Sequence, residues 1–135
     1  MSCSQRAWLV PIIADEYDPP AAVVTVRTKN SGRSPAFEVL TTYDGGNLPS
    51  EPQSATELRY RHFAGLVAAD DVIAFKVKMS LEIRQGQRSY IYGKVTYRDA
   101  FTREPEAKPR ETEFCRYYDP EIRRFGFCKG LNTAR

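Results

Sequence analysis

Ser89-Tyr-Ile-Tyr-Gly-Lys-Val-Thr-Tyr-Arg98 decides the fold. On an extended chain Ile91, Val95 and Tyr97 share one face, and Tyr90, Tyr92, Lys94 and Thr96 share the other. Aromatic and β-branched side chains fill both faces, which suits a strand and leaves no helical stripe. The strand runs into Tyr97-Arg-Asp-Ala-Phe101, a tyrosine-and-aspartate corner. Such a corner locks a loop by a side-chain hydrogen bond, the reading preferred here for Tyr97 and Asp99 over ligand contact. Glu104-Pro-Glu-Ala-Lys-Pro109 then forms a charged hairpin tip, and residues 112–118 and 125–128 close the domain as a two-stranded ribbon.

Period-two patterning recurs upstream. Residues 7–13 read as a first strand, which Pro11 confines to an edge or a bulge. Asp15-Glu-Tyr-Asp-Pro-Pro20 reads as a polar turn. Ala22, Val24 and Val26 align on one face of the second strand, and Asn30-Ser-Gly-Arg-Ser-Pro35 turns the chain, with Gly32 free to take positive φ. Residues 36–43 make a third strand, with Phe37, Val39 and Thr41 on one face, ended by Asp44-Gly-Gly-Asn47. Val72–Lys78 places Ile73, Phe75 and Val77 inward. Residues 48–66 carry Pro49, Pro52 and the only histidine, and read as a crossing between sheets. Ser80 to Gly86 fits one helical turn with a capping glycine. About seven strands with almost no helical periodicity predict an all-β, antiparallel β-sandwich of immunoglobulin-like topology, one domain spanning 1–135.

Composition narrows the class. Hydrophobic residues make up 41% and charged residues 27%, ordinary globular values that argue against disorder. The net charge of +3 comes from 20 basic and 17 acidic residues interleaved along the chain, so no basic tract tracks a phosphate backbone and nucleic acid is not an expected partner. No apolar run approaches the ~18 residues of a membrane span. The first residues lack a signal-peptide core, since Pro11 interrupts the short apolar stretch. Read literally, the chain begins and stays in the cytoplasm.

The cysteines point elsewhere. If the closing ribbon pairs Tyr118 with Phe125, Tyr117 faces Gly126, Arg116 faces Phe127, and Cys115 faces Cys128. Directly opposed residues sit ~4.5–5.5 Å apart at Cα, within reach of a disulfide. Two buried, reduced thiols, or a one-residue slip that parts them, are the alternatives. Cys3 is left over.

Candidate chemistry is sparse. A zinc site from Cys3, Cys115, Cys128 and His62 lacks any paired knuckle spacing, so no metal and no cofactor is expected. His62 lies in Arg59-Tyr-Arg-His-Phe63, among cations that disfavour a protonated imidazole, and reads as solvated or structural rather than as a general base. Asp70-Asp71 reads as a turn, because adjacent side chains of an extended chain point apart. Gly45, Gly46 and Gly93 precede no phosphate-binding helix and serve the backbone. A hydrolase or metal enzyme is therefore disfavoured.

Gln5-Arg-Ala-Trp8, Asn30-Ser-Gly-Arg-Ser-Pro-Ala36, Tyr92-Gly-Lys-Val-Thr-Tyr-Arg-Asp-Ala-Phe101, Thr112-Glu-Phe-Cys115, Phe127-Cys128 and Asn132 occur in that order. Together they resemble a family of small bacterial membrane-anchored proteins of unknown function. The resemblance runs from residue 5 to residue 132 and implies a soluble extracytoplasmic β-domain preceded by transmembrane helices. Only five residues precede Arg6, where the family's anchor would lie, and the tip around 104–109 is longer than the family's turn. No catalytic residue is carried over.

The expected function is non-enzymatic interaction or sensing in the periplasm or another extracytoplasmic compartment. Its binding surface would be an aromatic sheet face made of Tyr90, Tyr92, Lys94 and Tyr117, facing a protein or glycan partner. The alternative is a free-standing cytosolic inhibitor or accessory protein. Membrane contact would come only through an anchor, and sheet edges offer a route to a homodimer.

Overall fold

A computed structural model describes residues 6–18, 23–79, 85–102 and 104–132, with the backbone alone at 10–18. The described residues form eight strands and no helix: β1 (Leu9–Asp18), β2 (Val23–Asn30), β3 (Ala36–Leu48), β4 (Tyr60–Val67), β5 (Val72–Lys78), β6 (Arg88–Arg98), β7 (Arg110–Asp119) and β8 (Arg124–Phe127). They make two antiparallel sheets, β1-β2-β5 and β4-β3-β6-β7-β8, stacked as a sandwich.

The core lies between the sheets and follows the alternation of the sequence. Val24 and Val26 from β2 and Phe75 and Val77 from β5 meet Ile91, Val95 and Tyr97 from β6 and Phe114 from β7. Burying each such side chain stabilises the fold by ~1.5–3 kcal/mol. A second aromatic group seats β4. Tyr43 stacks on Tyr60 with ring centroids 5.6 Å apart, and His62 stacks on Phe75 of the opposite sheet at 4.3 Å.

Several expectations are corrected. The eighth strand is β4, within the stretch read as a crossing. β1 continues to Asp18 through a register break between Ile13 and Tyr17, so residues 15–18 are strand rather than turn; Pro11 does sit on an edge strand. β3 does not stop at Asp44 but pairs with β6 through Leu48. Glu38 adopts φ 51° at a bulge, so Ala36 and Val39 are both fully buried and Phe37 leaves the core face. Of the helical turn expected from Ser80 to Gly86, residues 80–84 lie outside the described residues, and Gly86 takes a φ of 75°.

Two polar nodes lock the loops at the β6 end. Asp99 is fully buried: its Oδ2 accepts from Arg110 Nε at 2.7 Å and from the Ala7 N–H, and its Oδ1 from the Phe101 N–H and the Thr102 hydroxyl. Burial alone pushes this carboxyl up, but Arg110 and the donors around it outweigh burial and hold it below the usual carboxylate range. The neighbouring Tyr97 hydroxyl accepts from the Leu9 N–H. Arg98 Nη1 donates to the carbonyls of Thr102, Glu104 and Ala107, which fastens the tip. The corner is a structural device.

Candidate binding face

The outer face of the five-stranded sheet can be read row by row, because directly paired residues point the same way. One row runs Asp44, Tyr92, Cys115, and the next runs Gly46, Tyr90, Tyr117, Gly126. On the other side of these lie Arg61, Thr42, Lys94, Glu113, and then Phe63, Leu40, Thr96, Glu111.

The first two rows are covered. Cys115 and Cys128 form a disulfide with Cα atoms 5.4 Å apart, in the register expected for the ribbon. Tyr90 packs on it, with Leu48, Tyr92, Tyr117 and Leu131 around it, as a small second core. The chain after β8 returns over this cluster. Asn132 accepts the Cys115 N–H and the Arg116 guanidinium on Oδ1, and donates to the carbonyls of Cys128 and Gly130. Glu51, in the connection between β3 and β4, accepts the Gly130 N–H at 2.7 Å. That connection comes back to the sheet at Arg59, which grips Asp44 through Nε and Nη2 at 2.7–3.1 Å. Arg59 holds the Asp44 carboxyl below its ordinary value. Burial first, and the Asp44 charge second, push the Tyr92 phenol above its own, so it stays protonated at neutral pH.

The expected aromatic surface is thus divided. Tyr90, Tyr92 and Tyr117 do point away from the main core, but Tyr90 is 5% exposed, packed in the cluster with Cys115 and Cys128. Tyr92 and Tyr117 are half-buried; the Arg88 guanidinium lies over the Tyr117 ring and Gly126 leaves room beneath it, where a Cβ would come 2.6 Å from Cζ. Lys94 alone belongs to the open rows, where it pairs with Glu111 at 3.4 Å.

Those open rows continue into a feature the sequence reading missed. Phe63 and Leu66 are 68% and 60% exposed, and with Phe37, Glu38, Gly65 and Arg98 they line an open groove of about 440 Å³. Arg98 Nε and Glu38 form an ion pair at 3.4 Å across it. Gly65, at φ 77°, and Glu38 place a bulge on each strand beneath the groove.

The groups considered for chemistry have other uses. Cys115 and Cys128 are bonded to each other and cannot ligate zinc. His62 is the stacking partner of Phe75, and Asp70 and Asp71 form a turn in which the Asp70 N–H donates to the Asn30 carbonyl and the Asp71 carbonyl accepts the Asn30 N–H. Among the described residues no group of three or more His, Cys, Asp or Glu is placed to hold a metal ion, and no helix is long and apolar enough to cross a membrane. No family model, curated protein or solved structure matches the chain.

Proposed function

We propose that this chain is a non-enzymatic interaction domain that binds a protein partner through the open rows of its five-stranded sheet. We propose further that it works outside the cytoplasm, as the soluble part of a membrane-anchored protein of the family it resembles. The observation that carries the binding reading is the contrast between the halves of one face. One half is sealed by a disulfide, Leu48 and the returning chain, while the other exposes Phe63 and Leu66 beside Arg61 and Lys94. Exposed aromatic and aliphatic side chains beside fixed charges are the make-up of a protein interface more than of a glycan site, which needs several convergent polar groups.

The cross-strand disulfide supports an oxidising compartment, because such bonds are rare where thiols are kept reduced. The strand orders β1-β2-β5 and β4-β3-β6-β7 support the immunoglobulin-like reading: they follow A-B-E and C′-C-F-G, with β8 added at the far edge.

A photo-crosslinking amino acid at Thr42 or Thr96, set against one at Lys29 or Lys76 on the outside of the other sheet, tests the face in the native cell. Adducts are expected from the first pair only; adducts of equal yield from both pairs refute the assignment. Thiol alkylation at lysis followed by intact mass tests the compartment, and two free thiols at Cys115 and Cys128 would favour the cytosolic alternative.

A further inference from the structure

β4 ends the five-stranded sheet, and among the described residues no strand pairs with its outer side. Half of an edge strand's backbone groups therefore face outward, ready to template another strand. Edges are usually guarded by lysines, inward charges, prolines or a cover. β4 has a bulge at Gly65 but leaves Phe63 and Leu66 bare next to its free side.

We propose that the β4 edge receives an extended segment of the partner protein as a further antiparallel strand, with an apolar side chain over Phe63 and a carboxylate opposite Arg61. This rests on the reading of the chain as a protein-binding domain and names the chemistry of what it binds. Main-chain pairing would supply the affinity, and Arg61 and Phe63 the selectivity.

Charge decides between occupants. From Tyr60 to Val67 the strand holds an arginine, a histidine and no acid. The cations around it are already matched: Arg59 with Asp44, Lys94 with Glu111, and Arg98 with Glu38. Arg61 is exposed, and among the described residues no ion pair reaches it. A second copy paired edge to edge would add another Arg61 and no carboxylate. A segment with an acid at that position turns the repulsion into a cross-strand attraction. Arg61 and Phe63 point to the same side two residues apart, so an antiparallel segment meets them in the order apolar, any residue, acid.

The probe is a fluorescein-labelled, threonine-rich peptide carrying valine and, two residues on, glutamate, with a twin that has lysine for glutamate. Anisotropy titration of the whole chain is expected to favour the glutamate peptide by about fivefold. Arg61→Glu is expected to invert that order, Phe63→Ser to weaken both peptides, and the amide resonances of residues 60–67 to move on binding. Equal binding of the two peptides, an order that survives Arg61→Glu, or resonance changes confined to other strands overturns the proposal, as does sedimentation showing a dimer that Phe63→Ser dissociates. A partner adduct at Thr42 and Thr96 that persists in both variants removes the edge proposal and leaves the binding face standing.

Discussion

Replacing Asn30 with alanine is expected to be among the costliest single truncations of an uncharged polar side chain in this domain. Asn30 is fully buried at the end of β2 and uses its whole hydrogen-bonding capacity. Its Oδ1 accepts the N–H groups of Trp8 and Gly32, each at 3.1 Å, and its Nδ2 donates to the carbonyls of Ser34 at 2.9 Å and Val67 at 3.1 Å. Four segments meet there: the entry to β1, the turn after β2, the end of β4, and the turn before β5 through the Asn30 main chain. Alanine orphans two donors and two acceptors. At ~1–3 kcal/mol for each one that water cannot reach, and with the Val67 contact the most enclosed, the loss comes to about 3–4 kcal/mol. Against a typical stability of ~5–15 kcal/mol this leaves a folded but fragile protein. Urea titration followed by the single tryptophan, Trp8, is expected to show a midpoint lower by about 2 M with an unchanged slope. Asn30→Asp keeps the volume and both acceptors but aims negative charge at two carbonyls, so it should be no better above about pH 4. A loss below about 1 kcal/mol for Asn30→Ala would refute the view that this side chain holds the loops together.

Acid should act through Asp99 and Asp44. Both carboxyls are held below their ordinary values, so the stability they confer is complete above about pH 4 and is lost as pH falls through their native pKa values; urea midpoints between neutrality and about pH 2.5 should fall, and fall less steeply in Asp99→Asn. Gly93→Ala should prevent folding or cost more than about 4 kcal/mol, because a Cβ there would lie 2.1 Å from the Thr42 carbonyl oxygen between β3 and β6; circular dichroism of the purified variant reads this directly. Cys115→Ser with Cys128→Ser should lose about 2–4 kcal/mol and raise amide exchange first in β8 and residues 128–132.

What the sequence made legible followed contrast between the two faces of a strand. In β5 and β6 apolar and polar residues alternate, so those strands could be read; in β7–β8 the turn at 119–124 allowed a register that opposes Cys115 and Cys128, and the structure selects it over the one-residue slip. β4 hid because, apart from Val67 at its end, its inward residues are Tyr60, His62 and Ala64, and its outward ones include Phe63 and Leu66: the hydrophobic contrast is inverted where the strand is exposed. Phe37 misled for a different reason. A bulge shifts the alternation by one residue, and nothing in Ala36-Phe-Glu-Val39 announces that Glu38 will take a left-handed conformation. The outward direction of Tyr90 was readable from period two, but its burial was not, since Leu48 and Leu131 reach it from distant positions in the chain.

The covered half of the face also sets the geometry of the open half. β8 has four residues, too few to hold an edge by main-chain pairing alone, and the disulfide and Asn132 together fasten it and the chain beyond it to β7. Glu51 ties that chain to the β3–β4 connection, and Arg59 clamps the connection to Asp44 one residue before β4 begins. Tyr60 then stacks on Tyr43 and starts the strand. The position of the β4 edge thus depends on contacts that begin at the disulfide, on the opposite edge of the same sheet. Reducing Cys115–Cys128 should therefore loosen the start of β4 before its end, where Asn30 holds the Val67 carbonyl independently. Amide exchange in reduced protein that rises at Tyr60 and Arg61 ahead of Leu66 and Val67 fits this linkage; uniform exchange along β4 would show that the two halves of the face are uncoupled.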